Sequence, residues 1–93
     1  MPFHLELPEA LRLQGWKVKI RDRERLEQPH ATVLHGCRAW RFGLRDRRFL
    51  DDSPHPREVP EEIHRILRSR RGALQEAWDR MYPENPVGGR DEN

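Results

Sequence analysis

Residues 31–44, ATVLHGCRAWRFGL, decide the fold, because they read as two strands joined by a tight turn at residues 36–37. In the second strand the large apolar residues alternate, as Trp40, Phe42 and Leu44. Side chains of a strand point alternately to two faces, so these three share one face, while Arg41 and Arg45 share the other. The apolar face then needs a second layer to cover it.

A second hairpin is predicted upstream, over residues 11–21. It consists of a short strand at residues 11–13, a turn at Gln14-Gly15 and a return strand from Trp16 to Arg21. The return strand repeats the alternation of the first, with Trp16, Val18 and Ile20 between Lys17, Lys19 and Arg21. This pattern is typical of an antiparallel sheet with one apolar face and one solvated face.

The covering layer is predicted to be one long helix that begins near Pro60 and ends at Pro83. Its apolar stripe comprises Ile63, Ile66, Leu67, Leu74, Ala77, Trp78 and Met81. Gly72 costs up to about 1 kcal/mol relative to Ala in mid-helix, so a kink, or two helices meeting near residues 69–72, is an alternative. The predicted class is α+β: a small antiparallel sheet of three to four strands packed against one long C-terminal helix, with Trp40 and Trp78 in one core.

The remaining segments are expected to be irregular. We predict an irregular N-terminal segment over residues 1–10, a single domain over 11–82 and a flexible tail over 83–93, in which Val87 to Asn93 make no fixed contacts. Residues 22–29 read as a charged loop. Residues 45–57 read as a surface crossover.

The length and composition predict one small domain. The distribution of charge makes an anionic binding partner one interpretation. The 93 residues are 34% hydrophobic and 37% charged, with a formal net charge of +2. Residues 1–50 hold 11 Lys and Arg against 6 Asp and Glu, whereas residues 51–93 hold 7 against 10. A basic half attracts anions, although an ordinary mixed-charge surface explains the same numbers. One cysteine, no apolar run of about 20 residues and no basic-then-apolar leader predict a soluble, cytoplasmic protein.

The open face of the sheet is the first candidate site. Its predicted cations are Lys17, Lys19, Arg21, Arg41 and Arg45. Such a stripe suits a nucleic-acid phosphate backbone. An acidic partner protein could bind the same cations, and a merely solvated face is the remaining interpretation. The stripe lacks exposed aromatic rings for base stacking, because the tryptophans lie on the core-facing side.

The second candidate is catalytic and centres on His30. As a metal-independent ribonuclease, the protein would use His30 as general base, with Arg41 or Arg45 stabilising the phosphorane. His35 and Cys37 are two residues apart, but without a second pair of ligands they give a weak zinc signal. We therefore expect no metal and no cofactor. The sequence favours a binding module over the ribonuclease and leaves open whether the protein is an enzyme.

Three segments carry a family resemblance: residues 11–20 (LRLQGWKVKI), residues 27–30 (EQPH) and residues 74–78 (LQEAW). Over about residues 11–82 the chain resembles short bacterial proteins with a domain of unknown function. That family has a Pro-Pro-His-x-His signature and a Leu-x-x-Ala-Trp helix end, and its members are often encoded in toxin–antitoxin pairs. Here Gln28 replaces the first proline and Thr32 the second histidine. The resemblance implies a role in a two-gene regulatory pair.

Overall fold

A computed structural model describes residues 2–22 and 26–88 of the chain. Its strands are β1 (Phe3–His4), β2 (Trp16–Ile20), β3 (His30–His35), β4 (Arg38–Gly43) and β5 (Arg48–Phe49). Its helices are α1 (Glu9–Leu13), α2 (Glu61–Ser69) and α3 (Arg71–Met81), with a 3₁₀ turn at Pro56–Glu58. The five strands form one antiparallel sheet in the spatial order β1-β2-β3-β4-β5.

The α+β class is confirmed, but the predicted strand number and the single long helix are wrong. The sheet has five strands rather than three to four. The helical layer breaks at Arg70, whose backbone leaves the helical region at φ −104° and ψ 18°. Gly72 follows two residues later, so a residue of low helix propensity lies close to the point where α2 ends and α3 begins. The alternative of two helices meeting near residues 69–72 is therefore correct.

The central hairpin is confirmed in detail. His35 pairs with Arg38 across β3 and β4, which leaves Gly36 and Cys37 as a two-residue loop. Gly36 has φ 59°, a left-handed conformation that glycine adopts without the steric cost of a side chain. The alternation of β4 also holds, since Trp40 is 0% exposed and lies in one core with Trp78.

The N-terminal assignments need correction, because residues 11–13 belong to α1 and not to a strand. The amides of Leu11 and Arg12 donate to the carbonyl of Pro8 at 3.0 and 3.1 Å, which starts a helical turn immediately after the proline. The preceding residues are not irregular throughout. β1 pairs with β2, and Leu5 and Leu7 are buried in the core.

A fifth strand lies inside the segment predicted as a surface crossover. Phe42 of β4 pairs with Phe49 of β5, and Gly43 pairs with Arg48. The two strands lie close together at Gly43. A Cβ atom at Gly43 would lie 2.9 Å from the Leu50 side chain and 3.2 Å from the Arg48 carbonyl. Glycine at position 43 therefore lets the short edge strand close onto the sheet.

The C-terminal strap, residues 82–88, packs where a tail was expected. The indole nitrogen of Trp78 donates to the Asn85 carbonyl at 2.6 Å, and the amide of Val87 donates to Asp79 Oδ1 at 2.7 Å. Tyr82 donates its hydroxyl to the Arg21 carbonyl. Val87 is buried, so the expectation that it makes no fixed contacts is wrong. The rest of the predicted tail, residues 89–93, lies outside the described residues.

The lengths of the helices can be compared with the length that crosses a membrane. Within residues 2–22 and 26–88, no helix has the length and apolar character that a membrane span requires.

Candidate functional site

Two of the predicted cations lie together on the sheet face turned away from the core. Lys19 pairs with Thr32, and Thr32 pairs with Arg41, so these three side chains form a row across β2, β3 and β4. Lys17 is exposed and Lys19 is half-buried. The parity predicted for these cations agrees with the register. Whether this face binds a partner stays a prediction.

Arg41 is held in an internal ion pair. Its Nη2 lies 2.8 Å from Asp51 Oδ1 and its Nε 3.1 Å from Oδ2, while its backbone amide donates to Oδ2 at 3.0 Å. The side-chain hydrogen bond from Arg41 holds the pKa of the Asp51 carboxyl below its ordinary value of 3.8, against the opposing effect of partial burial. Glu27 adds a second carboxylate, 3.7 Å from Nη1. The guanidinium charge is thus offset within the protein.

Arg45 is also used internally. Its Nε donates to the Val87 carbonyl at 2.9 Å, and its Nη2 donates to the Pro86 carbonyl at 2.8 Å and to Asn85 Oδ1 at 3.1 Å. These bonds tie the C-terminal strap to the end of β4. Arg21 lies at the same end of the molecule, where its carbonyl accepts the Tyr82 hydroxyl. The cations predicted as one stripe therefore have different environments.

The candidate base, His30, is fully buried at 0% exposure. Its Nδ1 lies 2.8 Å from the Gln28 carbonyl. A carbonyl only accepts, so Nδ1 carries the proton in this contact. Nε2 lies 3.9 Å from Glu27 Oε1, and the ring packs 5.6 Å from Trp78. A general base must reach the proton that it removes, and in this conformation an RNA hydroxyl has no access to the imidazole.

His35, the candidate metal ligand beside Cys37, has a structural role. Its ring stacks on Trp16 at 4.1 Å, Nε2 lies 3.0 Å from the Gln14 carbonyl and Nδ1 accepts from Arg38 at 3.1 Å. Both ring nitrogens are engaged, which leaves neither as a metal ligand beside the exposed Cys37. Among the described residues no group of three or more His, Cys, Asp or Glu side chains could hold a metal ion.

A basic pocket that the sequence argument missed lies at the opposite edge of the sheet, where β5 meets α2. Its volume is about 350 Å³. Arginines and aromatic rings dominate the lining, which consists of Phe42, Arg47, Arg48, Phe49, Pro56, His64 and Arg68. Three arginines thus line one cavity from three elements: Arg47 from the β4–β5 turn, Arg48 from β5 and Arg68 from α2.

No carboxylate belongs to this pocket lining in the described part of the chain. Arg47 and Arg48 are exposed. Arg68 has an ion-pair partner nearby, with Nη2 3.4 Å from Glu61 Oε2, but the two side chains are 61% and 71% exposed. Such solvent-exposed pairs are weak, so the pair leaves Arg68 able to exchange Glu61 for another anion. The pocket therefore favours anionic ligands.

The aromatic wall of the basic pocket is held in place on both sides. Phe49 is half-buried, and its ring makes edge contacts with Phe42 and with His64, each at a centroid distance of 5.3 Å. His64 is fixed in turn, since its Nε2 lies 3.2 Å from the Pro56 carbonyl. A planar group entering the pocket would meet rings that are already positioned.

Two sequence signals pointed to the basic pocket. Residues 45–49, RDRRF, place two adjacent arginines before a phenylalanine, and His64 and Arg68 are four residues apart on one helix face. Neither signal is specific by itself. The two segments meet only in the fold, through the contact between the rings of Phe49 and His64.

Comparisons with known proteins assign no family to this chain. No protein-family model, no curated protein and no solved structure matches it. The resemblance to bacterial proteins of unknown function stays a prediction.

Proposed function

We propose that this protein is a nucleic-acid-binding module that holds a single strand by its phosphates at the basic pocket. One observation carries the proposal: Arg47, Arg48 and Arg68 line one cavity together with Phe49, without a carboxylate among its described lining residues. Guanidinium groups bind phosphate oxygens through paired, charge-assisted hydrogen bonds. Backbone contacts of this kind are independent of base sequence.

The aromatic wall favours nucleic acid over other anionic polymers. Proteins that bind single strands combine a cationic groove with rings on which bases stack, and every base offers a π-face. The open sheet face offers cations, but the tryptophans of the sheet are buried in the core and cannot stack on a base there. Phe49 is half-buried and lines the same cavity as the three arginines. An acidic partner protein would use the arginines but has no comparable need for that wall.

The ribonuclease centred on His30 remains the alternative, and burial weighs against it. With the imidazole 0% exposed, cleavage would require a different conformation around β3. A role within a two-gene regulatory pair is likewise a proposal, which the identity of the neighbouring gene tests. Binding without cleavage is the form of activity that we favour.

The test is a titration of a fluorescent single-stranded oligonucleotide at several salt concentrations. Two variants remove the same charge from different places: Arg48→Gln with Arg68→Gln in the basic pocket, and Lys17→Gln with Lys19→Gln on the open face. Strands β2 and β5 are three positions apart, or about 14 Å, so the second variant is a matched control. The pocket variant should bind at least about tenfold more weakly, because each charge-assisted hydrogen bond contributes about 1.5 kcal/mol or more.

Salt dependence identifies the contacts that are lost. Each phosphate contact to a single strand adds about −0.7 to the log–log salt slope, so the pocket variant should have a slope shallower by about 1.4. The control should keep both affinity and slope. If the control loses binding and the pocket variant does not, the open face is the interface. An absence of binding at low salt would refute the proposed function, and cleavage that His30→Ala abolishes would restore the ribonuclease.

A further inference from the structure

We infer that the basic pocket recognises the phosphorylated end of a strand, with the terminal phosphomonoester between the arginines and the last base against Phe49. The inference rests on the proposed function and specifies the chemical class of its ligand. An internal phosphodiester carries one negative charge and two free oxygens. A terminal phosphomonoester carries a charge of about −1.5 to −2 at neutral pH and three acceptor oxygens, which match three guanidinium groups better.

The placement of the arginines supports this charge match. Arg47 comes from the β4–β5 turn, Arg48 from β5 and Arg68 from α2, so the cavity is lined by arginines of different elements. A groove that follows a continuous backbone would instead need cations spaced along one line. Convergence on one cavity is the arrangement expected for a single, highly charged group.

The size of the pocket points the same way. A volume of about 350 Å³ lies at the lower end of the range for small-molecule sites, about 300–1,000 Å³. That space suits one nucleotide and not several. The wall formed by Phe49 and His64, which contact each other at 5.3 Å, provides the apolar surface that one planar base requires.

The experiment compares oligothymidylates of one length that differ only at their ends: a 5′-phosphate, a 3′-phosphate or hydroxyl groups at both ends. One of the phosphorylated strands should bind at least about tenfold more tightly than the hydroxyl strand, the step expected for an additional charge-assisted contact. In the Arg48→Gln, Arg68→Gln variant the preference should fall below about twofold. The Lys17→Gln, Lys19→Gln variant should retain it, and circular dichroism should show that both variants are folded.

Competition with thymidine monophosphate identifies the source of the phosphate. Displacement of the phosphorylated strand by the free nucleotide would show that the pocket needs only one nucleotide, whereas a failure to compete would show that the adjoining strand contributes. Either result agrees with recognition of a terminal phosphate. Equal affinity for phosphorylated and hydroxyl strands would overturn the inference and leave the proposed function standing. If none of the strands binds, both are wrong.

Discussion

At the scale of single residues, Asp51 has an effect that its position in a charged loop conceals. Its carboxylate accepts from both the backbone amide and the guanidinium of Arg41, so it attaches the chain that follows β5 to β4. The next backbone bond, from the Leu50 amide to the Arg41 carbonyl at 2.8 Å, shows that the chain still follows the strand. One side chain thereby accepts a backbone hydrogen bond from β4 and offsets the charge of a cation.

Replacing Asp51 with asparagine should lower the free energy of unfolding by about 1 kcal/mol near neutral pH, because the amide lacks the charge that pairs with Arg41. Arg41 lowers the pKa of the Asp51 carboxyl in the folded protein. Its stabilising effect is therefore present above the unfolded pKa of about 3.8 and is lost as the pH falls through the lower folded value. Urea unfolding at about pH 6 and about pH 2 should show the difference between wild type and variant shrinking. Asp52→Asn, at an exposed neighbour, should stay within about 0.5 kcal/mol at both pH values; equal effects at the two positions would contradict this account.

Arg47 is held in the left-handed region at φ 61°. That conformation costs a non-glycine residue about 1–2 kcal/mol, whereas glycine gives up about 0.5–1 kcal/mol of chain entropy. Arg47→Gly should therefore raise the free energy of unfolding by up to about 1 kcal/mol while weakening oligonucleotide binding. The control is Arg48→Gly in β5, which should weaken binding and also reduce stability by about 0.5–1 kcal/mol. Urea unfolding and titration of the same samples give both quantities. Loss of stability in Arg47→Gly would contradict the strain argument.

At the scale of elements, long periodic segments were predictable and short ones were not. The alternation of Trp40, Phe42 and Leu44 fixed β4 and its buried face, and Gly36 marked the turn. By contrast, β1 and β5 contain two residues each, too few to show a period. The strand predicted at residues 11–13 failed because Leu-Arg-Leu fits a strand and a helical turn equally well. Pro8, whose carbonyl accepts the first bonds of the helical turn, decides in favour of the helix.

The C-terminal strap gives a prediction at this scale. Removing residues 86–93 deletes the buried side chain of Val87 and two carbonyl acceptors of Arg45. Burial of one valine side chain is worth about 2 kcal/mol, so the melting temperature should fall by about 8 °C or more in a domain of this size. Removing residues 89–93 alone deletes none of these contacts and is the matched control. Thermal denaturation followed by circular dichroism measures both, and an unchanged melting temperature in the longer truncation would show that the strap does not contribute to stability.

At the scale of the whole molecule, the sequence could suggest which cations share a face but not which of them are available. Parity placed Lys19 and Arg41 together, as the register shows. It could not reveal that Asp51 would neutralise Arg41, or that Arg45 would hold a segment 40 or more residues away. The basic pocket was missed for the same reason. Its arginines become neighbours only after β5 closes onto β4 and α2 covers the sheet.

The tip of the central hairpin carries a residue suited to site-specific covalent coupling. Cys37 is the single cysteine of the chain, and it is exposed in the loop between β3 and β4. Phe42, which lines the basic pocket, lies five residues further along the chain in β4, about 17 Å away at about 3.3 Å per residue. Maleimide coupling through that sulfur would therefore immobilise every molecule on a sensor surface in one orientation. The attachment point and the pocket would then lie at opposite ends of β4.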